Sequence, residues 1–219
     1  MIKIDTMKSG SYILELSLID SAKNTYIVKN KKFFLFTFSD DTQSSNKGQQ
    51  DYLKSEFVTL TESDLDDLFD KIIYIRTDEE SKNYRDLKTL EEKRKYMFDF
   101  WRKRDNMPGT PQNEFKMAYF KRMNEANIKF KESFKDGWKT DRGRMYILYG
   151  AASEVEHHAF ESDTKSYEVW TYDNMQNQGS ANAVFIEREA CTGIYTLVSS
   201  TIRGEIRDDN WQSQLKQFH

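Results

Sequence analysis

The segment GWKTDRGRMYILYG, residues 137–150, decides the fold because helical periodicity precedes it and β periodicity follows it. Upstream, apolar residues recur every three or four positions, as on one face of a helix. Downstream, short runs rich in β-branched and aromatic residues alternate with turn-forming segments. Gly137 stands where a left-handed residue would end the preceding helix. The segment therefore predicts a helix-to-strand connection, with a strand that begins at RMYILYG.

Three helices are predicted in the central part of the chain, upstream of this segment. The first two begin at capping patterns in residues 61–64 and 89–92, where a threonine precedes an acidic residue by three positions. The third is the longest, with Thr110 as its cap, Pro111 at its first position and an apolar stripe that continues to Phe134. Helices with such stripes can cover one another or a sheet.

The carboxyl-terminal part of the chain predicts an antiparallel meander of about four strands, which is a common sheet size. The predicted strands are RMYILYG, SYEVWTYD, NAVFIERE and GIYTLVSS, separated by turn-rich segments. Helices and an antiparallel sheet in separate stretches of chain make the predicted fold class α+β.

The amino-terminal residues 1–38 predict a β segment of their own. Apolar side chains alternate with polar ones at Tyr12, Leu14, Leu16 and Leu18. The polar residues 39–50 lack any periodicity and predict a linker. Residues 51–219 are then the domain that contains the helices and the antiparallel sheet.

The stretch SGSYILELSLID, residues 9–20, resembles a late strand of an immunoglobulin-like sandwich. Such sandwiches use about seven strands, and residues 1–38 supply about three. We therefore expect a partial β-sandwich whose apolar face and unpaired edge need a cover. An upstream segment or a strand from a partner is expected to provide it, and an upstream segment would also hold an export signal.

Composition limits the classes of partner. The 219 residues carry 33 Lys and Arg against 36 Asp and Glu, so a net charge of -3 creates no whole-protein field that attracts nucleic acid. Cys191 is the single cysteine, so no disulfide forms within the chain. No apolar run reaches the length of a membrane span, and the first residues lack the apolar core of a signal peptide.

The polar residues of the central segment predict a structural role. Thr140 and Asp141 can hydrogen-bond the backbone of a tight turn, and Arg142 or Arg144 can pair with Asp141. Trp138 can pack on the last turn of the preceding helix. The alternative is that Asp141 and the two arginines line a surface for a partner or ligand.

An interaction surface and a catalytic site have different candidate residues. Arg142, Trp170 and Tyr172 are the candidates for an interaction surface. A hydrolase or ligand-binding site would use Asp141 and Arg144 with His157 and His158. The acidic neighbours of the two histidines that could add ligands are Glu154, Glu156 and Asp163. No helical His-x-x-x-His pair or cysteine pair completes a metal set, so we expect no metal and no cofactor.

The segment 137–150 resembles the signature of the GWxTD-domain family, since Gly137, Trp138, Thr140 and Asp141 all match it. Similar stretches are FWRKRD (100–105), TPQNEFKMAYFKRMNEAN (110–127), YEVWTY (167–172) and IYTLVSSTIRGEI (194–206). The resemblance implies a bacterial cell-envelope protein whose biochemical function is not established, with a β-sandwich-like segment before the signature domain. It implies no catalytic residue.

Two hypotheses follow from these observations. The first is a non-catalytic interaction or scaffold module of the envelope, in the periplasm and with protein partners. A short glycine-ended strand followed by Trp-x-Tyr is also similar to small lipoproteins of the outer-membrane barrel-assembly machinery, which favours protein partners at the outer membrane. The second is the hydrolase or ligand-binding domain described above.

Overall fold

The computed structural model describes residues 7, 10–19, 25–35, 51–53, 55–110, 112–159, 164–175, 178–189 and 192–216. The chain divides into two compact units, Met1–Arg104 and Asp105–His219. Among the described residues, the first contains two strands followed by helices, and the second contains two α-helices joined through a 3-10 helix, then a four-stranded sheet and a final 3-10 helix, Trp211–Leu215. The predicted α+β class is confirmed. None of the helices formed by the described residues is long and apolar enough to cross a bilayer.

The amino-terminal strands form a two-stranded antiparallel sheet of β1 (Gly10–Ile19) and β2 (Thr25–Leu35). Tyr12 pairs with Phe33, and their rings stack with centroids 5.8 Å apart. Ile13 and Leu16 are 67% and 61% exposed. An immunoglobulin-like sandwich is not formed by the described residues, and the predicted linker 39–50 lies outside them.

After a short 3-10 helix, Glu56–Thr59, the first unit continues with the α-helices α1 (Glu62–Lys71), α2 (Asp78–Asp86) and α3 (Leu90–Arg102). Each α-helix begins with a capping box, in which a threonine accepts from a backbone N–H three residues later and an acidic side chain accepts in return. The caps predicted at Thr61 and Thr89 are confirmed. Helix α2 was not predicted, because Tyr84 is its only buried residue and the helix has no apolar stripe.

The second unit begins with α4 (Glu114–Lys129), which is shorter than predicted. Its cap is Asn113, whose side chain accepts from the N–H of Lys116, so the prediction of Thr110 as cap is wrong. The hydroxyl of Thr110 instead donates to the carbonyl of Gln112. Pro111 lies outside the described residues. The helix ends before Phe130, and Phe134 is fully exposed.

The prediction that RMYILYG forms a strand is wrong, because these residues belong to helix α5, Asp141–Tyr149. Thr140 caps this helix by accepting from the backbone N–H of Gly143. Residues 145–147 are all buried, so polar residues do not interrupt the apolar run there. A short apolar run does not distinguish a buried helix from a strand, which explains the error.

The four-stranded sheet is an antiparallel meander in the order β3-β4-β5-β6. Its strands are β3 (Glu154–His158), β4 (Tyr167–Met175), β5 (Gly179–Glu187) and β6 (Tyr195–Ser200). The last three correspond to predicted strands, and β3 replaces RMYILYG as the first. Five consecutive residues of β5, 183–187, are buried, as expected for a central strand covered on both faces. Val184 and Ile186 pack with Leu215 on one face.

Candidate functional site

Backbone segments come unusually close together at two glycines, Gly137 in the connection between α4 and α5 and Gly143 in the first turn of α5. A Cβ on Gly137 would lie 2.1 Å from the carbonyl oxygen of Ala126 in α4. A Cβ on Gly143 would lie 1.8 Å from the carbonyl oxygen of Gly137. No larger residue fits at either position without a backbone shift. Among the described residues, the glycines with positive φ are elsewhere in the chain, at 150, 179, 193 and 204.

Gly137 therefore serves close packing and not the left-handed helix end that was predicted for it. The helix that precedes it ends at Lys129, several residues earlier, and Gly137 begins a short 3-10 helix, Gly137–Lys139. Gly143 was not singled out from the sequence. No pattern in the sequence marks it as a position of close packing.

Thr140 connects these elements through its hydroxyl. The hydroxyl donates to the carbonyl oxygen of Gly137 at 2.8 Å and accepts from the N–H of Gly143 at 3.0 Å. Thr140 is fully buried, so both hydrogen bonds are formed away from water. The predicted bonding of Thr140 to the backbone of the turn is confirmed.

Trp138 lies on the surface side of the same turn and is half-buried. Its backbone N–H donates to the side-chain oxygen of Asn127 at 3.0 Å, which fastens the turn to α4. The ammonium of Lys139 lies 5.1 Å from the centre of the indole ring.

Asp141 forms a hydrogen bond with the edge strand β6 of the four-stranded sheet. Its carboxylate accepts from the backbone N–H of Leu197 in β6 at 2.9 Å. Strand β6 is the last strand of the sheet, and this contact occupies one of its outward-facing N–H groups. The prediction that Asp141 pairs with Arg142 or Arg144 is wrong, since each arginine pairs with a glutamate farther along the chain.

Arg142 pairs with Glu168 of β4, a carboxylate that is only 4% exposed. Nη1 of Arg142 lies 3.0 Å from Oε1 of the glutamate, and the indole N–H of Trp170 donates to Oε2 at 2.9 Å. Nδ1 of His157 lies 3.3 Å from Oε1. The guanidinium also stacks on the ring of Tyr195, 4.2 Å from its centre. The buried charge therefore has a counter-ion and a hydrogen bond on each oxygen.

Arg144 pairs with Glu205 in a bidentate manner, with N–O distances of 2.8 and 2.6 Å. The hydroxyl of Tyr149 also donates to Glu205, at 2.7 Å. Burial by itself raises the pKa of Glu205, but the hydrogen bonds from Arg144 and Tyr149 outweigh it and the pKa is lowered. Burial and the same carboxylate raise the pKa of Tyr149. Glu205 is consequently ionised at neutral pH.

Trp170 and Tyr172, two of the candidates for an interaction surface, lie in the core instead, at 3% and 4% exposure. Both side chains lie on β4, the second strand of the sheet. The hydroxyl of Tyr172 is buried with no hydrogen-bond partner among the described residues, and burial raises its pKa. Arg142, the third candidate, contacts the carbonyl of Gly193 as well as its ion-pair partner.

The two histidines lie on the edge strand β3 and not in a loop. The ring of His158 stacks on Tyr167, with centroids 4.1 Å apart, and its Nε2 lies 3.5 Å from the carboxylate of Glu156. Within the described ranges, no group of three or more His, Cys, Asp or Glu side chains could hold a metal ion. Asp163, the remaining candidate ligand, lies outside those ranges.

Glu168 and Glu205 are the acidic residues of the site that were not predicted from the sequence. Glu168 stands between apolar residues in YEVWTY, and an acidic residue at a buried strand position was the signal for it. No comparable signal marks Glu205, which lies in a turn-rich segment after β6.

Comparison with known proteins gives one family. A family model described as the GWxTD domain matches residues 34–219, most of the chain. No match to a curated protein and none to a solved structure accompanies it.

Proposed function

The chain belongs to the GWxTD-domain family, and on that premise we propose that it is a non-catalytic protein-interaction or scaffold module of the bacterial cell envelope. One observation carries this proposal. The charged side chains of the signature bind partners inside their own fold: Arg142 binds Glu168, Arg144 binds Glu205, and Asp141 binds the backbone of Leu197.

Such pairing supports a structural role for the signature because a catalytic or ligand-binding charge is normally aimed into a cleft. Both glutamates have side chains less than a tenth exposed, and both oxygens of each are already occupied by donors. The network joins α5 to the sheet and to the segment after it. A signature whose charges are all used inside the fold fits a structural role in presenting a surface better than the turnover of a substrate.

The surface that we assign to a protein partner is the β1–β2 sheet. Ile13 and Leu16 are separated by three positions on a strand and therefore project from opposite faces, and both are exposed. Apolar groups on both faces of a two-stranded sheet favour a cover from another segment. We propose that a strand from a partner protein provides that cover and completes an immunoglobulin-like sandwich.

The envelope location rests on the family resemblance. We propose a periplasmic location, with the protein as a component of an assembly at the outer membrane.

A hydrolase or ligand-binding function is the second candidate, supported by the contact between His157 and Glu168. A histidine beside a carboxylate is a common acid–base arrangement. It stays second because Arg142 and Trp170 already bind the two oxygens of that carboxylate. Hydrolysis of an activated ester by the full-length protein, lost in His157→Ala, would make it the first candidate.

Crosslinking in living bacteria that produce the full-length protein tests the interaction role. We expect one discrete crosslinked partner for the wild type, and its loss in Leu16→Glu, which places a charge on the exposed strand. Ile206→Glu is the matched control, since Ile206 is similarly exposed in the other unit. A partner that is retained in Leu16→Glu, or the absence of any discrete partner, would contradict the proposal.

A further inference from the structure

The turn between α4 and the 3-10 helix presents an aromatic side chain at its tip. Phe134 is fully exposed, although the turn around it is closed by two backbone hydrogen bonds. The N–H of Glu132 donates to the carbonyl of Lys135 at 3.1 Å, and the N–H of Lys135 donates to the carbonyl of Glu132 at 3.4 Å. The ring is therefore held outward by a defined turn.

The charges beside this ring are positive. Lys131, Lys135 and Lys139 line the same shallow depression as Phe134. Two acidic residues, Glu132 and Asp136, line it as well, so the depression carries one net positive charge. Asp136 pairs with Lys139 at 3.2 Å and Glu132 is buried, which leaves the ammonium groups of Lys131 and Lys135 as the exposed charges beside the ring. Lysines 131 and 135 thus flank the exposed ring with positive charge.

An aromatic ring between lysines fits an anionic lipid surface better than a protein pocket. The cores of protein interfaces are depleted in lysine, because its ammonium is costly to desolvate. At a bilayer interface, a phenyl ring enters the boundary of the acyl chains while lysine stems extend to the phosphates. Each such lysine adds attraction to anionic headgroups.

We propose that residues 131–139 bind an anionic lipid surface, with Phe134 inserted at the interface and Lys131 and Lys135 on the headgroups. The binding is peripheral, through one aromatic side chain and two charges. It uses residues other than those of the interaction surface assigned to β1–β2.

Sedimentation of the full-length protein with vesicles tests this proposal. We expect binding to phosphatidylcholine vesicles that contain phosphatidylglycerol and none to pure phosphatidylcholine. Phe134→Ser is expected to weaken binding by about tenfold or more, since it removes a large apolar side chain from the contact. Charge reversal in Lys131→Glu with Lys135→Glu is expected to abolish it, and added salt to weaken the wild type.

Met117→Ser is the matched control, because Met117 is exposed on the preceding helix α4. Its binding is expected to equal that of the wild type, and circular dichroism of each variant checks that the fold is intact. Equal binding to both kinds of vesicle, no binding to either, or wild-type binding by Phe134→Ser would overturn the proposal. A crosslink that depends on Phe134 and joins the turn to a protein, without vesicle binding, would also overturn it.

Discussion

Two kinds of ion pair in this molecule have similar lengths but different surroundings. In the first unit, Lys71 lies 2.5 Å from Asp67 on the outside of α1, and the carboxylate side chain is 63% exposed. In the second unit, Arg144 lies 2.6 Å from Glu205, whose side chain is 8% exposed. Water screens the first pair and leaves it worth a few tenths of a kcal/mol, whereas the second carries a large penalty if either partner is lost. Burial and not distance decides what these pairs contribute.

Loss of Glu168 is expected to have the largest effect. Glu168→Ala leaves the charge of Arg142 without its counter-ion and the indole N–H of Trp170 without its acceptor, so we expect a loss of about 4 kcal/mol in the free energy of unfolding. Urea unfolding followed by circular dichroism measures it. Glu154→Ala on the exposed strand β3 is the control and should be close to neutral. A loss of unfolding free energy below about 1 kcal/mol would show that the Arg142–Glu168 pair contributes no more than an exposed pair does.

A methyl group at Gly143 tests whether the buried ion pairs of Arg142 and Arg144 depend on the close backbone packing at the start of α5. Gly143→Ala places a Cβ against the carbonyl of Gly137, which must shift, and we expect a loss of about 2 kcal/mol. Gly109→Ala is the control, because a Cβ there meets no atom within 4 Å. Equal unfolding midpoints for the two variants would show that the turn adapts without strain.

Acid should weaken the Arg144–Glu205 pair. Because the pKa of Glu205 is lower in the folded protein than in the unfolded chain, its contribution is fully present above the usual glutamate pKa of about 4.3. That contribution is lost as the pH falls through the folded-state pKa. The difference in unfolding free energy between wild type and Glu205→Gln should therefore shrink between neutral pH and about pH 3. If the difference between the two proteins is constant with pH, the stabilisation by Glu205 comes from packing and not from its charge.

The exposed pair should give the smallest effect. Asp67→Ala removes the partner of Lys71 on the surface of α1, and we expect a loss of about 0.3 kcal/mol, less at high salt. A loss as large as that of Glu168→Ala would contradict the comparison. It would mean that a short distance between two charges is enough to make an ion pair strongly stabilising, whatever its burial.

Local features of the fold could be predicted from the sequence. The caps at Thr61 and Thr89 are defined by residues three positions apart, and the strands β4, β5 and β6 by runs of β-branched and aromatic residues. Helix α5 could not be predicted in this way. Its residues are buried together, and burial removes the polar positions by which a helical period is recognised.

The sequence by itself determined the family and the α+β class, because both rest on residue patterns that can be recognised without knowing which segments touch. It also determined the bonding of Thr140 to its own turn, because those partners are three residues away. Tertiary structure decided the rest of the site. Arg142 meets its glutamate 26 residues away and Arg144 meets its own 61 residues away, so those partners depend on which strands and turns lie beside α5. The close approach at Gly137 likewise exists only when the turn packs on α4, because the atom that excludes a side chain there is the carbonyl oxygen of Ala126.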